Sequence, residues 1–401
     1  MSRRVAITGI GAVSALGLGI PIHLEALRQG RGGIGPLTLV PQEQVKTRVV
    51  GEVPGYSAEA HFTPRQISTV DRSGQFALLA AAEAMTEAAG ATEGVAPQKA
   101  GVIFGAAVGC QTLEEGYVRI LRDGARPLPF TVPRVMPSSA ASQISMAYHI
   151  TGPSFSAASA CASASHAIGL AFQMIRGGML DMAVTGGCEA PLTLGMVKSW
   201  EALRVLAADT CRPFSKDRSG LVLGEGAAVL VLEEMERARA RGATILGEVL
   251  GFGMTADGAD LTAPDASSTA RAISAALDDA GLDAGAVDYV AAHGTGTVLN
   301  DKTETTSLRT VLGDRLAKVP VSSLKSMTGH CFGASGALGV TAALLGMRNG
   351  FLPPTLNFRE PDPECDVDCV PNAPRAASAE IALVNAFAFG GLNAVLAIRA
   401  A

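Results

Sequence analysis

Uninterrupted runs of apolar residues recur along the chain, and segments with the spacing of helices lie between them. A run without polar alternation is typical of a strand that a parallel sheet buries on both faces. Such runs predict strands at residues 5–9, 101–105, 182–187, 227–232, 245–250, 287–292, 319–323, 381–385 and 394–398.

Helical spacing predicts six helices between these strands. They lie at residues 71–90, 139–150, 268–280 and 333–349, after Cys161, and in the charged segment that runs through Arg241. Residues 123–138 carry four prolines and are predicted to form a loop. Residues 195–226 are rich in glycine and are predicted to be irregular.

The glycines at residues 9–14 allow two interpretations. Gly9 and Gly11 resemble the start of a dinucleotide-binding loop, but the third glycine and the acidic residue after a second strand are both missing. We therefore interpret the segment as a turn from the first strand into a helix.

Strands that alternate with helices predict an α/β fold with largely parallel sheets covered on both faces. Each half of the chain ends in a pair of predicted strands. This pattern favours two similar α/β halves, residues 1–240 and 241–401. The halves share no obvious sequence repeat, so the division rests on the order of the elements alone.

Composition narrows the class of protein. The 401 residues are 48% apolar with 46 glycines, and the net charge of −5 gives no reason to expect nucleic acid. Seven cysteines without framework spacing indicate a reducing compartment. We see neither a signal peptide at the start nor 18 consecutive apolar residues, so we expect a cytoplasmic protein without a membrane span.

Cys161 is the first candidate for chemistry, because it follows a small-residue strand and begins a helix that ends at residues 177–178. The helix dipole and the free N–H groups at such a position favour a thiolate, which is the reactive form of cysteine. The alternative is that Cys161 is simply a small, buried core residue.

Two of the six histidines lie in glycine-rich turns directly after predicted strands. They are His293 in His-Gly-Thr-Gly-Thr and His330 in Lys-Ser-Met-Thr-Gly-His. Binding sites of parallel sheets form at the carboxyl ends of strands, and glycine allows the backbone to approach a ligand closely. We interpret the remaining histidines as structural or surface residues: His23, His61, His149 and His166.

Two other kinds of site are disfavoured. Metal-binding spacings such as Cys-x-x-Cys are absent, and Cys365 and Cys369 lie in a Pro/Asp-rich loop without a partner pair, so we expect no metal. The Gly-Ala-Ser-Gly segment at 333–336 is one residue short of a hydrolase elbow. A cysteine with two histidines and a lysine instead favours decarboxylative carbon–carbon bond formation, because the cysteine can carry an acyl thioester and neutral histidines can stabilise an enolate.

Over essentially its whole length the chain resembles the elongating, Cys-His-His type of β-ketoacyl-acyl carrier protein synthase. The matching motifs are Ala-Cys-Ala-Ser-Ala-Ser-His at 160–166, His-Gly-Thr-Gly-Thr at 293–297, Lys-Ser-Met-Thr-Gly-His at 325–330 and Asn-Ala-Phe-Ala-Phe-Gly-Gly-Leu-Asn at 385–393. The resemblance implies a thiolase-like fold, in which two similar halves form a five-layered αβαβα sandwich. It also implies no resident cofactor, since the substrates are carried on the phosphopantetheine of acyl carrier protein.

The resemblance implies a role for each matching catalytic residue. Cys161 would accept the acyl group, and its N–H and that of Phe389 would form the oxyanion hole. His293 and His330 would hold the malonyl thioester and stabilise the enolate. Lys325 would maintain the electrostatics around His330.

Further residues are assigned supporting roles by the same resemblance. Asp301 and Glu304 would support the site beyond the first histidine, with Glu304 linking Lys325 to His330. Thr295 and Thr297 would bind the pantetheine arm, and Phe387 and Ala388 would belong to the gate loop around Phe389. Val108 would lie near the wall of the acyl tunnel, and Arg204 and Arg65 would face an acidic carrier protein.

Several positions depart from the family pattern. In the gate loop, Ala388 replaces a glycine and Leu392 replaces a threonine. Leu324 stands before the lysine where the family commonly has threonine, and Val-Leu-Asn at 298–300 lacks the usual proline. Residues 68–69 are serine and threonine where basic residues are common. These changes favour a specialised synthase in a secondary pathway, such as a polyene or other polyketide pathway.

Two other functions remain as alternatives. A chain-length-factor-like partner subunit of a heterodimer would have lost the cysteine, and this chain keeps it. A thiolase would need a second reactive cysteine in the last glycine-rich segment, where Phe387 and Phe389 lie instead. The expected assembly is a homodimer, with a heterodimer containing a chain-length-factor-like subunit as the alternative.

Overall fold

The computed structural model describes residues 3–108 and 110–401. We expected no signal peptide at the start of the sequence, and its first two residues, Met1 and Ser2, lie outside the described residues. The strands are β1 Val5–Ser14, β2 Gly17–Leu18, β3 Gly35–Pro36, β4 Val49–Val50, β5 Ala100–Gly105, β6 Ser154–Ala157, β7 Met182–Glu189, β8 Gly226–Glu234, β9 Gly247–Ala256, β10 Tyr289–Ala291, β11 Val321–Ser322, β12 Phe351–Leu352, β13 Arg375–Ala376, β14 Ile381–Ala388 and β15 Leu392–Ala400.

The helices connect these strands and cover their faces. They are α1 Ile20–Gln29, α2 Pro64–Thr69, α3 Arg72–Glu87, α4 Cys110–Tyr117, α5 Thr131–Val135, α6 Ser139–Tyr148, α7 Ser163–Arg176, α8 Leu194–Leu203, α9 Met235–Ala240, α10 Ala266–Ala280, α11 Val298–Leu312, α12 Lys325–Thr328 and α13 Ser335–Arg348. No helix in the described part of the chain is long and apolar enough to cross a membrane.

The two halves of the main sheet have the same topology. The strand order is β11-β10-β14-β15-β9-β1-β8-β7-β5-β6. If the strands of each half are numbered along the chain, both halves read 3-2-4-5-1. The innermost strands pair with each other, since β1 is antiparallel to β9 along Val5, Ala6 and Ile7. One continuous sheet therefore runs through both halves.

The sheet is mixed, and the prediction of largely parallel sheets is wrong. Strand β5 is parallel to β6 and β7, and β10 is parallel to β11 and β14. The strands nearer the junction are antiparallel. The last two strands are joined by a short turn at 389–391, which can only connect antiparallel neighbours.

Five layers follow from how the helices pack. Helix α7 contacts β5 and β7 of the first half as well as β9 and β15 of the second, and α13 contacts β8 and β14. These two helices therefore lie between the halves of the sheet. Helices α3 and α6 cover the outer face of the first half, and α10, with α11 on it, covers that of the second. Three buried apolar clusters correspond to these three helical layers.

Residues 9–14 do not turn into a helix, as interpreted from the glycines, but continue β1 with every residue buried. A Cβ atom on Gly9 would lie 2.1 Å from the carbonyl oxygen of Ala84, and one on Gly11 would lie 2.0 Å from that of Ala80. The glycines are therefore needed because helix α3 lies directly against the strand.

Two segments predicted to be irregular contain helices. Helix α5 lies within the proline-rich segment, and Pro133 falls in its first turn, where the N–H group that proline lacks has no helical partner. Helix α8 occupies the start of residues 195–226, because most glycines of that segment come after the helix ends at Leu203.

Candidate active site

Cys161 lies in a tight 3-10 turn, Ala160–Ala162, between β6 and α7. Ala160 has a φ of 48°, which is a strained conformation for a residue with a side chain. Such strained turns are concentrated at functional sites. The Cys161 side chain is buried, and its sulfur lies 3.1 Å from Nε2 of His330.

The hydrogen bonds of His330 determine its tautomer. The backbone N–H of Phe332 donates to Nδ1 of His330 over 3.2 Å, and the Ser335 hydroxyl lies 2.9 Å from the same nitrogen. Because Nδ1 accepts, the imidazole proton must be on Nε2, which faces Cys161. Burial, and then the charge of Lys325, lower the pKa of His330 well below its usual value, so the ring is neutral.

His293 follows strand β10 and is also neutral. Burial lowers its pKa well below the usual value, with further lowering by Lys325 and His330. The two imidazole centroids are 5.5 Å apart, with the rings nearly perpendicular. Both histidines therefore line the same cavity as Cys161 in the form that can donate a hydrogen bond.

Lys325 is buried at the start of α12 and contacts the turn of His293. Its ammonium group donates to the carbonyl oxygen of His293 and lies 3.4 Å from Nδ1 of the same residue. We expected Lys325 to act on His330 through Glu304, but its hydrogen bonds in the described residues go to His293. Burial lowers the pKa of Lys325, while Glu304 opposes that shift.

Glu304 and Asp301 hold the turn around His293. Glu304 accepts hydrogen bonds from the backbone N–H groups of His293 and Gly294, over 2.8 and 2.7 Å, and from the side chain of Asn385. Asp301 accepts from the N–H groups of Phe214 and Gly296. Both carboxyl groups are fully buried, and neither lines the cavity that contains Cys161.

Phe389 begins the turn between β14 and β15, directly after Phe387 and Ala388. Gly390 and Gly391 have φ angles of 80° and 67°, which glycine adopts without strain. The backbone N–H groups of Cys161 and Phe389 lower the pKa of the Cys161 thiol, so both donors lie near its sulfur. Two donors therefore converge on the candidate nucleophile, as an oxyanion hole requires.

The resting thiol of Cys161 is not activated. Burial, with a smaller contribution from the nearby Glu189, raises its pKa to about 11, and Lys325 and the two N–H groups only partly oppose the shift. The expectation that its place at a helix start favours a thiolate is therefore wrong for the resting site, because loss of hydration outweighs the local donors.

A cavity of about 410 Å³ leads to Cys161, and the charged side chains among its described lining residues are Arg204 and Asp260. Thr295 and Thr297 also line it, with their hydroxyl oxygens 2.8 Å apart. Five of the expected site residues do not line it: Lys325, Asp301, Glu304, Val108 and Arg65. Val108 lies on a loop after β5, and Arg65 is exposed on α2.

Trp200, Glu189 and Phe332 are residues of the site that sequence reasoning missed. Trp200 lines the cavity and packs against Phe332 and Phe389. Its signal in the sequence was that it is the single tryptophan of the chain. Glu189 is a lone acid at the end of a buried strand. It is fully buried and accepts three backbone hydrogen bonds beside the site.

Within residues 3–108 and 110–401, no group of three or more His, Cys, Asp or Glu side chains is arranged to hold a metal ion.

A buried cysteine, two neutral histidines and a lysine, held on a doubled α/β fold, define a carbon–carbon condensing enzyme. Comparison with known protein families gives the same class of enzyme. The family model described as Beta-ketoacyl synthase, N-terminal domain, matches residues 2–238, and the corresponding C-terminal domain matches residues 246–359. The chain belongs to the β-ketoacyl synthase family.

Similar proteins cover the chain from end to end. Nodulation protein E of Rhizobium sp. (strain N33) is 45% identical over 100% of both chains. The 3-oxoacyl-[acyl-carrier-protein] synthase 2 of Synechocystis sp. (strain ATCC 27184 / PCC 6803 / Kazusa) is 37% identical over 99% of this chain and 98% of that protein. A solved structure described as the ishigamide ketosynthase/chain length factor is 35% identical, with a TM-score of 0.94 over 100% of both chains. The predicted thiolase-like fold is confirmed.

Proposed function

We propose that this chain lengthens an acyl chain by decarboxylative condensation, with the growing acyl group on Cys161 and the malonyl group on acyl carrier protein. The observation that carries the proposal is the contact of 3.1 Å between the Cys161 sulfur and Nε2 of a neutral His330. A hydrogen-bond donor next to the nucleophile can stabilise the enolate oxygen of the malonyl group, because that enolate must form beside the acyl thioester on Cys161.

In the first half-reaction, the Cys161 sulfur attacks the carbonyl carbon of the acyl-carrier thioester. The new sulfur–carbon bond forms as the bond to the pantetheine sulfur breaks, and the thiol proton leaves with the pantetheine thiol. The N–H groups of Cys161 and Phe389, which lie near the Cys161 sulfur, would donate hydrogen bonds to the tetrahedral oxyanion that forms beside it.

In the second half-reaction, the malonyl thioester enters the cavity, and His293 and His330 donate hydrogen bonds to its carbonyl oxygen. Carbon dioxide departs, and the electron pair left behind forms an enolate on the thioester. The enolate carbon attacks the acyl-Cys161 carbonyl, the sulfur of Cys161 leaves as a thiolate, and a proton from water restores the thiol. Neutral imidazoles suit this step, since they donate without protonating the carbanion.

The remaining site residues have supporting roles in this proposal. Lys325 holds His293 in place and keeps it neutral, while Glu304 and Asp301 hold the turn that carries it. Thr295 and Thr297 present hydroxyl groups to the pantetheine arm. Phe387 and Ala388 support the gate formed by Phe389. Val108 does not line the described cavity, but its N–H donates to Glu189 beside the site, and we propose that it lies near the acyl chain.

An acyl carrier protein is the proposed partner, with no resident cofactor and no nucleic acid. Arg204 is exposed at the mouth of the cavity, where it can meet an acidic carrier, and Arg65 would contribute from α2. The name of the cyanobacterial relative, a synthase that acts on acyl-carrier substrates, supports this partner.

A homodimer is the proposed assembly. Strand β6 is the last strand of the sheet, and Phe155 on it is exposed. Met146 of the neighbouring α6 and Val132 of α5 are 61% and 70% exposed. An open strand edge beside exposed apolar side chains favours pairing with a second chain. The description of the ishigamide structure supports the alternative, a heterodimer with a chain-length-factor-like subunit.

The proposed pathway is specialised, and the proposed location is the cytoplasm. Identity to nodulation protein E of Rhizobium sp. (strain N33) is 45%, against 37% to the synthase of Synechocystis. The altered gate residues Ala388 and Leu392 also favour a specialised pathway. We further propose that residues 1–240 and 241–401 are the two halves, the first with Cys161 and the second with both histidines.

Condensation can be tested directly. Purified enzyme that has been acylated from an acyl-carrier donor is mixed with malonyl-acyl carrier protein, and the 3-oxoacyl product is measured by mass spectrometry. His293→Ala and His330→Ala variants should still acquire the acyl group but form no product. Acylation without condensation by the unaltered enzyme would contradict the proposal, and a chain that does neither alone but activates a second subunit would support the silent-partner alternative.

A further inference from the structure

Arg218 is a buried cation on the segment between α8 and β8, and its side chain is only 2% exposed. Its guanidinium donates to the main-chain carbonyl oxygens of Thr297, over 3.4 Å, and of Val298, over 3.2 Å. It also donates to the carbonyl oxygen of Ser215, over 3.0 Å, and to the carboxylate of Asp362. Four of the five N–H donors of the planar guanidinium are therefore in use.

The position of this cation is unfavourable for the helix beside it. Thr297 is the N-cap of α11 and Val298 is its first residue, and the helix dipole disfavours a positive charge there. Two largely buried carboxylates keep Arg218 in place. One is Asp362, on the loop after β12, and the other is Asp301, whose Oδ2 lies 3.8 Å from Nε of Arg218. Arg218 is therefore not placed there to favour the helix dipole, and its contacts with the two carbonyl oxygens indicate another task.

The turn before α11 is held through its main-chain groups. The N–H of Gly296 donates to Asp301 over 3.2 Å, and the carbonyl oxygen of Gly296 accepts from the N–H of Gly220 over 3.1 Å. Arg218 supplies the next contacts along the chain, at the two carbonyl oxygens that follow. The path of residues 295–298 is therefore fixed by segments that are distant in sequence.

The side chains of Thr295 and Thr297 remain available to a ligand. Both line the cavity that leads to Cys161, and their hydroxyl oxygens are 2.8 Å apart. One hydroxyl donates to the other, so the pair keeps one free O–H donor together with free lone pairs. This combination matches the C=O and N–H of an amide, and the pantetheine arm carries two amides. The spacing of the pair depends on the conformation of Thr297, whose carbonyl oxygen Arg218 holds.

We propose that Arg218 is a positioning residue for the pantetheine arm. By holding the carbonyl oxygens of Thr297 and Val298, it keeps the two threonine hydroxyls at the spacing that an amide of the arm requires. Arg218 itself does not line the cavity, so it acts through the threonine pair. This inference rests on the proposed function, and it assigns Arg218 to binding of the arm rather than to either chemical step.

The first test compares two donors in the acylation of Cys161. Hexanoyl-pantetheine carries both amides, and S-ethyl thiohexanoate carries none, while both release an alkyl thiol. Intact mass follows single-turnover acylation over a range of donor concentrations. In Arg218→Lys, we expect the half-saturating concentration of hexanoyl-pantetheine to rise about tenfold, because an ammonium group cannot hold both carbonyl oxygens in the same way. The maximum rate, and the kinetics with S-ethyl thiohexanoate, should stay within about twofold of the unaltered enzyme.

Arg241→Lys is the matched control. Arg241 also pairs with a buried carboxylate, that of Glu233, and also donates to a main-chain carbonyl oxygen, that of Ala89. Neither residue of this pair is among those that line the cavity. The substitution should lower stability without changing the kinetics of either donor. A like rise of the half-saturating concentration in both arginine variants would contradict the role of Arg218.

A double-mutant cycle tests whether Arg218 acts through the threonines. Thr297→Val removes one hydroxyl of the pair, and the Thr297 side chain makes no capping hydrogen bond to α11. In the Thr297→Val enzyme, Arg218→Lys should raise the half-saturating concentration of hexanoyl-pantetheine by less than about twofold. A further rise of about tenfold would show that the two residues act independently, and it would overturn the proposal.

Asp362→Asn tests the same contact if Arg218→Lys does not fold. It keeps the shape of the side chain and removes the charge that Arg218 contacts. We expect the half-saturating concentration of hexanoyl-pantetheine to rise about threefold, since a charge-assisted hydrogen bond becomes an ordinary one. The kinetics with S-ethyl thiohexanoate should not change. An unchanged value for hexanoyl-pantetheine would contradict the proposal.

The outcomes separate this inference from the proposed function. An unaltered enzyme that neither donor acylates contradicts the proposed function itself. An unaltered enzyme that takes both donors at the same half-saturating concentration does not bind the arm, which overturns only the role of Arg218. The same holds if Arg218→Lys weakens both donors equally or weakens neither.

Discussion

The backbone N–H of Phe332 donates to Nδ1 of His330 over 3.2 Å, and this contact fixes the chemical character of the histidine. With Nδ1 occupied as an acceptor, Nε2 carries the proton and faces Cys161, so His330 is a donor rather than a base towards the thiol. The thiol, with a pKa raised by burial to about 11, therefore receives no help from His330 in losing its proton at rest.

This arrangement predicts different pH dependences for the two half-reactions. Below the thiol pKa of about 11, the thiolate fraction rises as pH rises, so acylation by a small acyl thioester should quicken about tenfold per pH unit between about pH 6 and about pH 9. The histidine pKa values lie well below 6.5, so both rings stay neutral over this range and decarboxylation should be nearly flat.

Single-turnover kinetics by quenched mass spectrometry, with carbon dioxide release in parallel, measure the two dependences. An acylation rate that levels off near about pH 7 would mean that the thiol pKa is lowered, not raised. A decarboxylation rate that falls steeply as pH drops from about 8 to about 6 would mean that a histidine titrates there.

Replacement of Lys325 by alanine should slow decarboxylation more than acylation. The change removes the cation that contacts the His293 carbonyl oxygen and helps to lower the pKa of that ring. We expect a loss of about 10- to 100-fold in carbon dioxide release, as for removal of a preorganised electrostatic group. Because the His293 pKa then rises, the rate should also decline at the acidic end of the profile.

Lys302→Ala is the matched control for this substitution. Lys302 is exposed on helix α11 and pairs with Glu364 at the surface. Its replacement should leave both half-reactions unchanged, because an exposed ion pair contributes little. If Lys325→Ala slows carbon dioxide release no more than Lys302→Ala does, Lys325 does not have the proposed electrostatic role.

Glu189→Gln should destabilise the fold. The Glu189 carboxyl accepts hydrogen bonds from the backbone N–H groups of Ala107 and Val108, each over 3.0 Å, and of Gly333 over 3.1 Å. Glutamine turns an NH₂ group towards at least one of these buried donors. We expect a loss of about 2–4 kcal/mol in the free energy of unfolding, measured by urea denaturation.

The surface variant Glu236→Gln serves as its control, because Glu236 is exposed and pairs with Arg239 three residues away. That substitution should stay within about 0.5 kcal/mol of the unaltered protein. If Glu189→Gln is equally mild, the three buried donors must find other partners.

Ala388→Gly should weaken selection between acyl donors. Ala388 pairs with Leu392 in the last register before the gate turn, and glycine widens the range of conformations at that point. We expect the ratio of acylation rates for a short and a long acyl donor to move closer to one. Ala386→Gly lies two residues earlier on the same strand and face, and it should lower stability without changing that ratio. A like change of ratio in both variants would contradict a specific effect on the gate.

Much of the site could be predicted from local patterns. Cys161, His293, Lys325 and His330 lie in small-residue or glycine-rich segments after strands. The structure brings Cys161, His293 and His330 to one cavity, and Lys325 contacts His293 from behind. Such segments are readable because the backbone chemistry that forms them is local. The α/β class followed from apolar runs for the same reason.

The rest depends on contacts between distant segments. Nothing local indicates that β1 pairs with β9 and joins the two halves, or that Gly9 and Gly11 serve the approach of α3. The thiol pKa was misjudged because burial by several elements, not the helix start, dominates it. Trp200 was missed because the glycines after its helix obscured α8.

The most direct test of the central claim is the intact mass of the purified enzyme after incubation with an acyl-acyl carrier protein. We expect a single acyl adduct on the unaltered chain, located at Cys161 by peptide mapping, and no adduct on Cys161→Ala. Absence of any adduct on the unaltered chain, or an adduct that persists in Cys161→Ala, would contradict the assignment of Cys161 as the acyl-carrying nucleophile.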